Sequence, residues 1–127
     1  MGQTAILSFI ALGGAVGACS RYLISELCLY LFGRGFPYGT LTVNILGSLI
    51  MGALTAAMAS GYITVPYWRH MIGLGFLGAL TTFSTFSMDN ILLLQQQAFL
   101  KMGVNILFNV SLSLCACWIG FYLVSKS

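Results

Sequence analysis

Charge is what this 127-residue sequence has least of. Five Lys or Arg and two Asp or Glu make up 6% of the chain, against about 25% in ordinary soluble proteins. So few charges cannot coat a soluble fold of this size, and hydrophobic residues reach 59%. Lipid is therefore the expected solvent for most of the surface. The net charge is +3, but there is no Lys/Arg cluster to neutralise phosphates, which argues against nucleic acid as a partner. The one histidine, His70, follows Trp68-Arg69 at an expected membrane interface. With no nucleophile–base or metal-ligand constellation, an enzyme is not expected. Cys19, Cys28, Cys115 and Cys117 lie in apolar stretches without a CxxC pair and read as small buried hydrophobes. The N-terminus lacks a basic n-region and its apolar stretch outruns a signal-peptide core, so a cleaved leader is not expected.

What is present is apolar length. A spanning helix needs about 20 mostly apolar residues, and segments 4–31, 38–60, 70–95 and 102–124 meet this. Gly33-Arg34-Gly35 with Pro37 ends the first span, and residues 61–66 end the second. Gln95-Gln96-Gln97 with Lys101 separates the third from the fourth. No tail or loop could form a soluble domain. Residues 1–127 thus read as a single all-α domain of four transmembrane helices, with any function built from the helices. Gly13-xxx-Gly17 and Ser48-xxx-Gly52 are small-xxx-small pairs that permit close helix approach.

Polar groups in hydrocarbon cost several kcal/mol unless satisfied, so their placement marks interior faces or wet paths. Arg21 lies within the first span, and its nearest acid, Glu26, is roughly 140° around the helix. A local ion pair is not expected. Arg21 either snorkels to the interface or sits in an aqueous vestibule, where it would attract anions. Asn44 and Ser48 share a face of the second span; the amide could donate to an anion or to a neighbouring helix. Asn105, Asn109 and Ser113 stack at i, i+4 and i+8 in the fourth span, as a polar track or a polar protein interface.

The third span carries the strongest pattern. Gly73, Gly75 and Gly78 precede Thr81-Thr82-Phe83-Ser84-Thr85-Phe86-Ser87, a run with five hydroxyls in seven residues. Hydroxyls capture backbone groups and glycine is flexible, so the spacing predicts a helix broken mid-span. Non-helical backbone at this depth is tolerated where it is buried in protein or lines a cavity. A break would free carbonyls such as those of Gly78 and Thr81 to bind a cation. Phe83 and Phe86 share a face, and their positive ring edges can contact a bare anion without a full charge.

These residues resemble the small bacterial fluoride channels of the CrcB or Fluc family. The matching strings run in order along the whole chain. They are Gly13-Gly14-x-x-Gly17-Ala18-x-x-Arg21-Tyr22, Gly39-Thr40-Leu41-x-Val43-Asn44-x-x-Gly47-Ser48, Gly75-x-x-Gly78-x-x-Thr81-Thr82-Phe83-Ser84-Thr85-Phe86-Ser87, and Asn109-x-x-x-Ser113. The third string is the specific one. The resemblance implies an antiparallel, dual-topology homodimer in the bacterial inner membrane, with two fluoride pores each lined by both subunits. It implies an aromatic box of Phe83 and Phe86, an Asn44 that donates to fluoride, and a polar track of Ser113, Ser84, Thr85 and Ser87 beside Asn105 and Asn109. It also implies a structural sodium ion, Na+, on the carbonyls of Gly78 and Thr81, with Arg21 by the vestibule. Asp89 stands where the family often has Glu. Asn105 stands where some members carry Tyr, and Leu112 where a small residue is common.

Passive conduction of a small, strongly hydrated anion needs donors that replace its water without trapping it, and hydroxyls and amides suit that better than fixed charge. A small multidrug-type proton-coupled exporter would also fit four spans. It needs a membrane-embedded carboxylate, and the first span has none before Glu26. A non-transporting assembly subunit would leave residues 81–87 unexplained.

Orientation follows Lys/Arg near span ends. Arg69 and Lys126 fall on one side, Arg34 and Lys101 on the other. An even count predicts insertion in both orientations, which would permit an antiparallel homodimer. Reporters fused to the C-terminus and active on one side of the membrane only are expected to signal from both sides; a signal from a single side would contradict this.

Overall fold

Backbone polar groups inside lipid must be satisfied within the chain, which favours helices. The described residues, 2–127, contain helices and no strand. In the computed structural model α1 covers Gln3–Phe32 and α2 Tyr38–Ala59. The run 66–80, named α3, comprises Pro66–Trp68, a π-helical stretch Arg69–Leu77 and a last turn Gly78–Leu80. α4 covers Phe83–Gln95 and α5 Phe99–Ser125. Among the described residues four stretches are long and apolar enough to cross a membrane: Gln3–Phe32, Tyr38–Ala59, Pro66–Gln95 and Phe99–Ser125.

Local chemistry sets most of the ends. Gly33 closes α1 at φ 80°, its N–H bonded to the Leu29 carbonyl at 2.9 Å, a left-handed position that favours glycine. Pro66 opens α3 at its first position, where a missing N–H costs nothing, so the third span begins four residues before the expected start at 70. The π-helical winding falls where Gly73 and Gly75 loosen the backbone.

The most extensive packing joins α2 to α5, and the next α1 to α3. Both contacts depend on missing side chains. A Cβ on Gly52 would overlap the Cys117 carbonyl, and one on Gly120 the Leu49 carbonyl. Gly13 and Gly17 meet the backbone of Met71 and Phe76 in the same way. The two small-residue pairs therefore serve different contacts, α1–α3 for the first and α2–α5 for Gly52 of the second. Val43, Leu54, Leu77 and Leu80 form the buried core, with Ile24, Ile50 and Phe76 packed against it. Leu31, Leu100 and Trp118 face outward, as lipid contact requires. Phe32, Phe36 and Tyr38 cluster at one end of the bundle, and Phe9, Tyr67 and Trp68 at the other, the placement of interfacial aromatic belts.

Between α3 and α4 the backbone of Thr81 (φ −79°, ψ 156°) and Thr82 (φ −153°, ψ 120°) is extended. α2 meets this pair through Gly47 and Asn44 and α5 borders the groove beside it, so their close packing positions the site. Gly52→Ala is expected to lower the unfolding free energy in detergent micelles by about 1–3 kcal/mol, the range for overpacking. At Gly103 a Cβ meets nothing within 4 Å, and Gly103→Ala is expected to be neutral or stabilising. Equal effects of the two substitutions on denaturant unfolding would contradict the packing.

Candidate functional site: the interruption in the third span

In a continuous helix the N–H of Thr82 would bond the Gly78 carbonyl, and that of Thr85 the Thr81 carbonyl. Both donors are diverted. Thr82 N–H donates to Asn44 Oδ1 at 2.8 Å, and Thr85 N–H to Thr82 Oγ1 at 3.2 Å. Asn44 Nδ2 donates in return to the Thr82 carbonyl at 3.2 Å. One side chain of α2 thus imitates a strand partner for a single residue, while the Thr82 hydroxyl caps α4. Thr81 Oγ1 bonds back to the Leu77 carbonyl at 2.9 Å, and β-branching favours the extended form. Gly47 of α2 faces the Thr81 methyl, where a Cβ would collide.

Arg21 holds the other side. Its Nε donates to the Ala79 carbonyl at 3.0 Å and its Nη1 lies 3.5 Å from Thr85 Oγ1. The guanidinium therefore touches both halves of the span and meets the negative end of α3. Neither snorkelling nor an ion pair with Glu26 describes it.

A groove of about 440 Å³ opens beside the interruption, lined by Asn44, Ser48, Gly78, Thr81, Phe83, Phe86, Asn109 and Ser113 among others. The Phe83 and Phe86 rings lie 5.4 Å apart, tilted by 52°. Phe86 is 8% exposed and embedded; Phe83 is 78% exposed and stands at the outer edge. Ser113 Oγ is buried with no hydrogen-bond partner, a condition that ordinarily costs about 1–3 kcal/mol. Among the described residues no three His, Cys, Asp or Glu gather as side-chain metal ligands. The Gly78 and Thr81 carbonyls, stripped of their helical donors, are the oxygen ligands that a hard cation would fit.

The remaining expected residues do not form one track. Asn105 is fully buried away from the groove. Thr85 lines a second groove of about 500 Å³ with Glu26, Arg34 and Asp89. Asp89 accepts from Thr40 Oγ1 at 2.7 Å, so this shorter acid still reaches α2. Ser84 and Ser87 are exposed, and Ser87 Oγ donates to the Phe83 carbonyl at 3.0 Å. Asn44 has no spare proton either, because Nδ2 also donates to Asn109 Oδ1 at 2.9 Å. To reach an anion it must exchange its 3.2 Å bond to Thr82.

Sequence reasoning missed three participants: Thr82 as cap, Thr40 as partner of Asp89, and Asn90, whose Oδ1 accepts from Asn105 Nδ2 at 2.9 Å. A hydroxyl three residues ahead of Thr85 is a readable cap signal. Asn90 lies seven residues after Phe83, on the same helix face, which also could have been read.

Four apolar spans, with an interrupted third span beside a polar groove, define the class, and this chain belongs to the CrcB family. Residues 8–121 match the family described as "CrcB-like protein, Camphor Resistance (CrcB)". Over 127 residues, covering all of both chains, the sequence is 69% identical to the "Fluoride-specific ion channel FluC" of Vibrio parahaemolyticus. Proteins of the same name from Vibrio campbellii and Photobacterium profundum are 68% and 65% identical, again over the whole of both chains.

Proposed function

We propose that this chain is a fluoride-selective channel that lets fluoride leave the cell passively across the bacterial inner membrane, relieving fluoride toxicity. It is an ion channel rather than an enzyme. The observation that carries the reading is the groove at the interrupted span, where amide, hydroxyl and aromatic groups gather without a fixed charge. The ion itself comes from the names of the relatives, which match this chain from end to end.

Ser113 Oγ, buried and unpartnered, is a ready donor to a dehydrating anion. Asn44 supplies a second by exchanging its longer bond to Thr82. Phe83 and Phe86 offer ring edges, which attract fluoride without binding it so strongly that it cannot leave. Ser84 and Ser87 add exposed hydroxyls along α4 and Thr85 one on the second groove, while Asn109 lines the first groove from α5 with Asn105 behind it. Arg21 adds positive potential at the interruption.

A groove whose outer ring is 78% exposed is half a pore. A second copy in the opposite orientation completes it, so the assembly is an antiparallel homodimer embedded in lipid, and two-fold symmetry gives two pores per dimer. The balanced Lys/Arg count supports dual insertion. The Gly78 and Thr81 carbonyls would hold a structural Na+ at the dimer centre, where its charge would offset their exposed dipoles.

Fluoride efflux from liposomes containing the purified protein, with chloride as comparison, tests the reading. Fast fluoride efflux without chloride efflux is expected; no fluoride conductance would defeat it. Phe83→Ile and Phe86→Ile are each expected to lower fluoride flux about tenfold, the upper range for one aromatic contact, with the dimer intact. Unchanged flux in both would remove the rings from the mechanism.

A further inference from the structure

We propose that Asn90, which lies outside the groove, is a positioning residue that holds Asn44 in place through a ladder of four side-chain amides. Asn44 Nδ2 donates to Asn109 Oδ1 at 2.9 Å. Asn109 Nδ2 donates to both the backbone carbonyl and Oδ1 of Asn105, each at 2.9 Å. Asn105 Nδ2 donates to Asn90 Oδ1 at 2.9 Å. The ladder runs from α4 through α5 to α2 and ends on the backbone of Thr82.

Its polarity is determined at two points by groups that cannot turn over. The Thr82 N–H can only donate, so Asn44 presents its oxygen there and its nitrogen to Asn109. The Asn105 carbonyl can only accept, so Asn109 presents its nitrogen there and its oxygen to Asn44. The two requirements agree. An amide offers a donor and an acceptor of nearly the same shape, so each rung's orientation dictates the next. Asn105 then faces Asn90 with its nitrogen, and Asn90 must supply an acceptor.

Burial makes this last acceptor consequential. Asn105 is 0% exposed and Asn109 6%, and a chain of hydrogen bonds in a low-dielectric interior strengthens each member. Without the Asn90 acceptor, Asn105 Nδ2 is left unpaired in a sealed site. Turning the Asn105 amide gives no relief, because it would leave Oδ1 unpaired and set the nitrogen against that of Asn109, so the buried rung loosens. The disturbance passes to Asn44, whose bond to Asn109 leaves only the longer bond to Thr82 for exchange with an anion. Asn90 also sits on α4 with Phe83 and Phe86, so the same ladder ties the aromatic pair to the helix that holds Thr82.

The flux arm of the test rests on the fluoride reading; the exchange arm does not. Asn90→Leu and Asn90→Ala remove the acceptor, one keeping bulk and the other avoiding a clash, while Asn90→Asp keeps an acceptor. Each is made alone and with Asn44→Ala, and fluoride efflux is measured at matched dimer content. Hydrogen exchange of the Thr82 amide is measured by NMR in the same samples. Loss of the acceptor is expected to lower flux and speed Thr82 exchange about tenfold each, with Asn90→Asp close to the parent. In the Asn44→Ala background neither substitution is expected to lower flux further. Unchanged Thr82 exchange in Asn90→Leu and Asn90→Ala would overturn the proposal, as would an equal loss of flux in both backgrounds. Faster exchange in these variants of a parent that conducts no fluoride would uphold the ladder and sink the channel reading.

Discussion

The structure depends on the pairing of one side chain with one backbone residue. An extended stretch inside a membrane-spanning segment exposes N–H and C=O groups where water is scarce, at several kcal/mol for each unsatisfied group. Asn44 removes that cost for Thr82 by accepting from its N–H at 2.8 Å and donating to its carbonyl at 3.2 Å. Arg21 does the same for the Ala79 carbonyl at 3.0 Å. With these partners the third span can stop being helical for two residues and start again under the Thr82 cap. Without them, continuous helix is the cheaper form.

The rest of the bundle serves that pairing. Gly47 lets α2 approach Thr81, and Gly17 lets α1 approach Phe76 and Ala79, which brings Asn44 and Arg21 within reach from opposite sides. The tight α2–α5 contact at Gly52 and Gly120 places Asn109 beside Asn44. The interruption, the groove and the buried amides are therefore one arrangement. Its wall holds donors and ring edges instead of fixed charge, which suits an ion that must enter and leave again.

Much of this was legible in the residues themselves. Scarce charge and four long apolar runs identify the spans, since lipid demands both. The cluster of hydroxyls after Gly78 marks the place where Thr81 and Thr82 leave the helix, because competition between hydroxyl and backbone is local chemistry. Helical periodicity groups Asn105, Asn109 and Ser113 on one side of α5. Asn109 and Ser113 line the groove, whereas Asn105 turns to Asn90. Which helix lies opposite a given face is a tertiary fact that spacing does not encode. Arg21 illustrates the same limit, because its two partners lie 58 and 64 residues away.

Backbone conformation at Thr81 and Thr82, read from their 13Cα and 13Cβ shifts in lipid bilayers, tests the pairing most directly, with Asn44→Val measured beside the parent. The expected result is extended-range shifts in the parent, between helical values at Leu80 and Phe83, and movement toward helical values in the variant. Helical shifts at Thr82 in the parent, or identical shifts in the two proteins, would contradict the dependence of the interruption on Asn44.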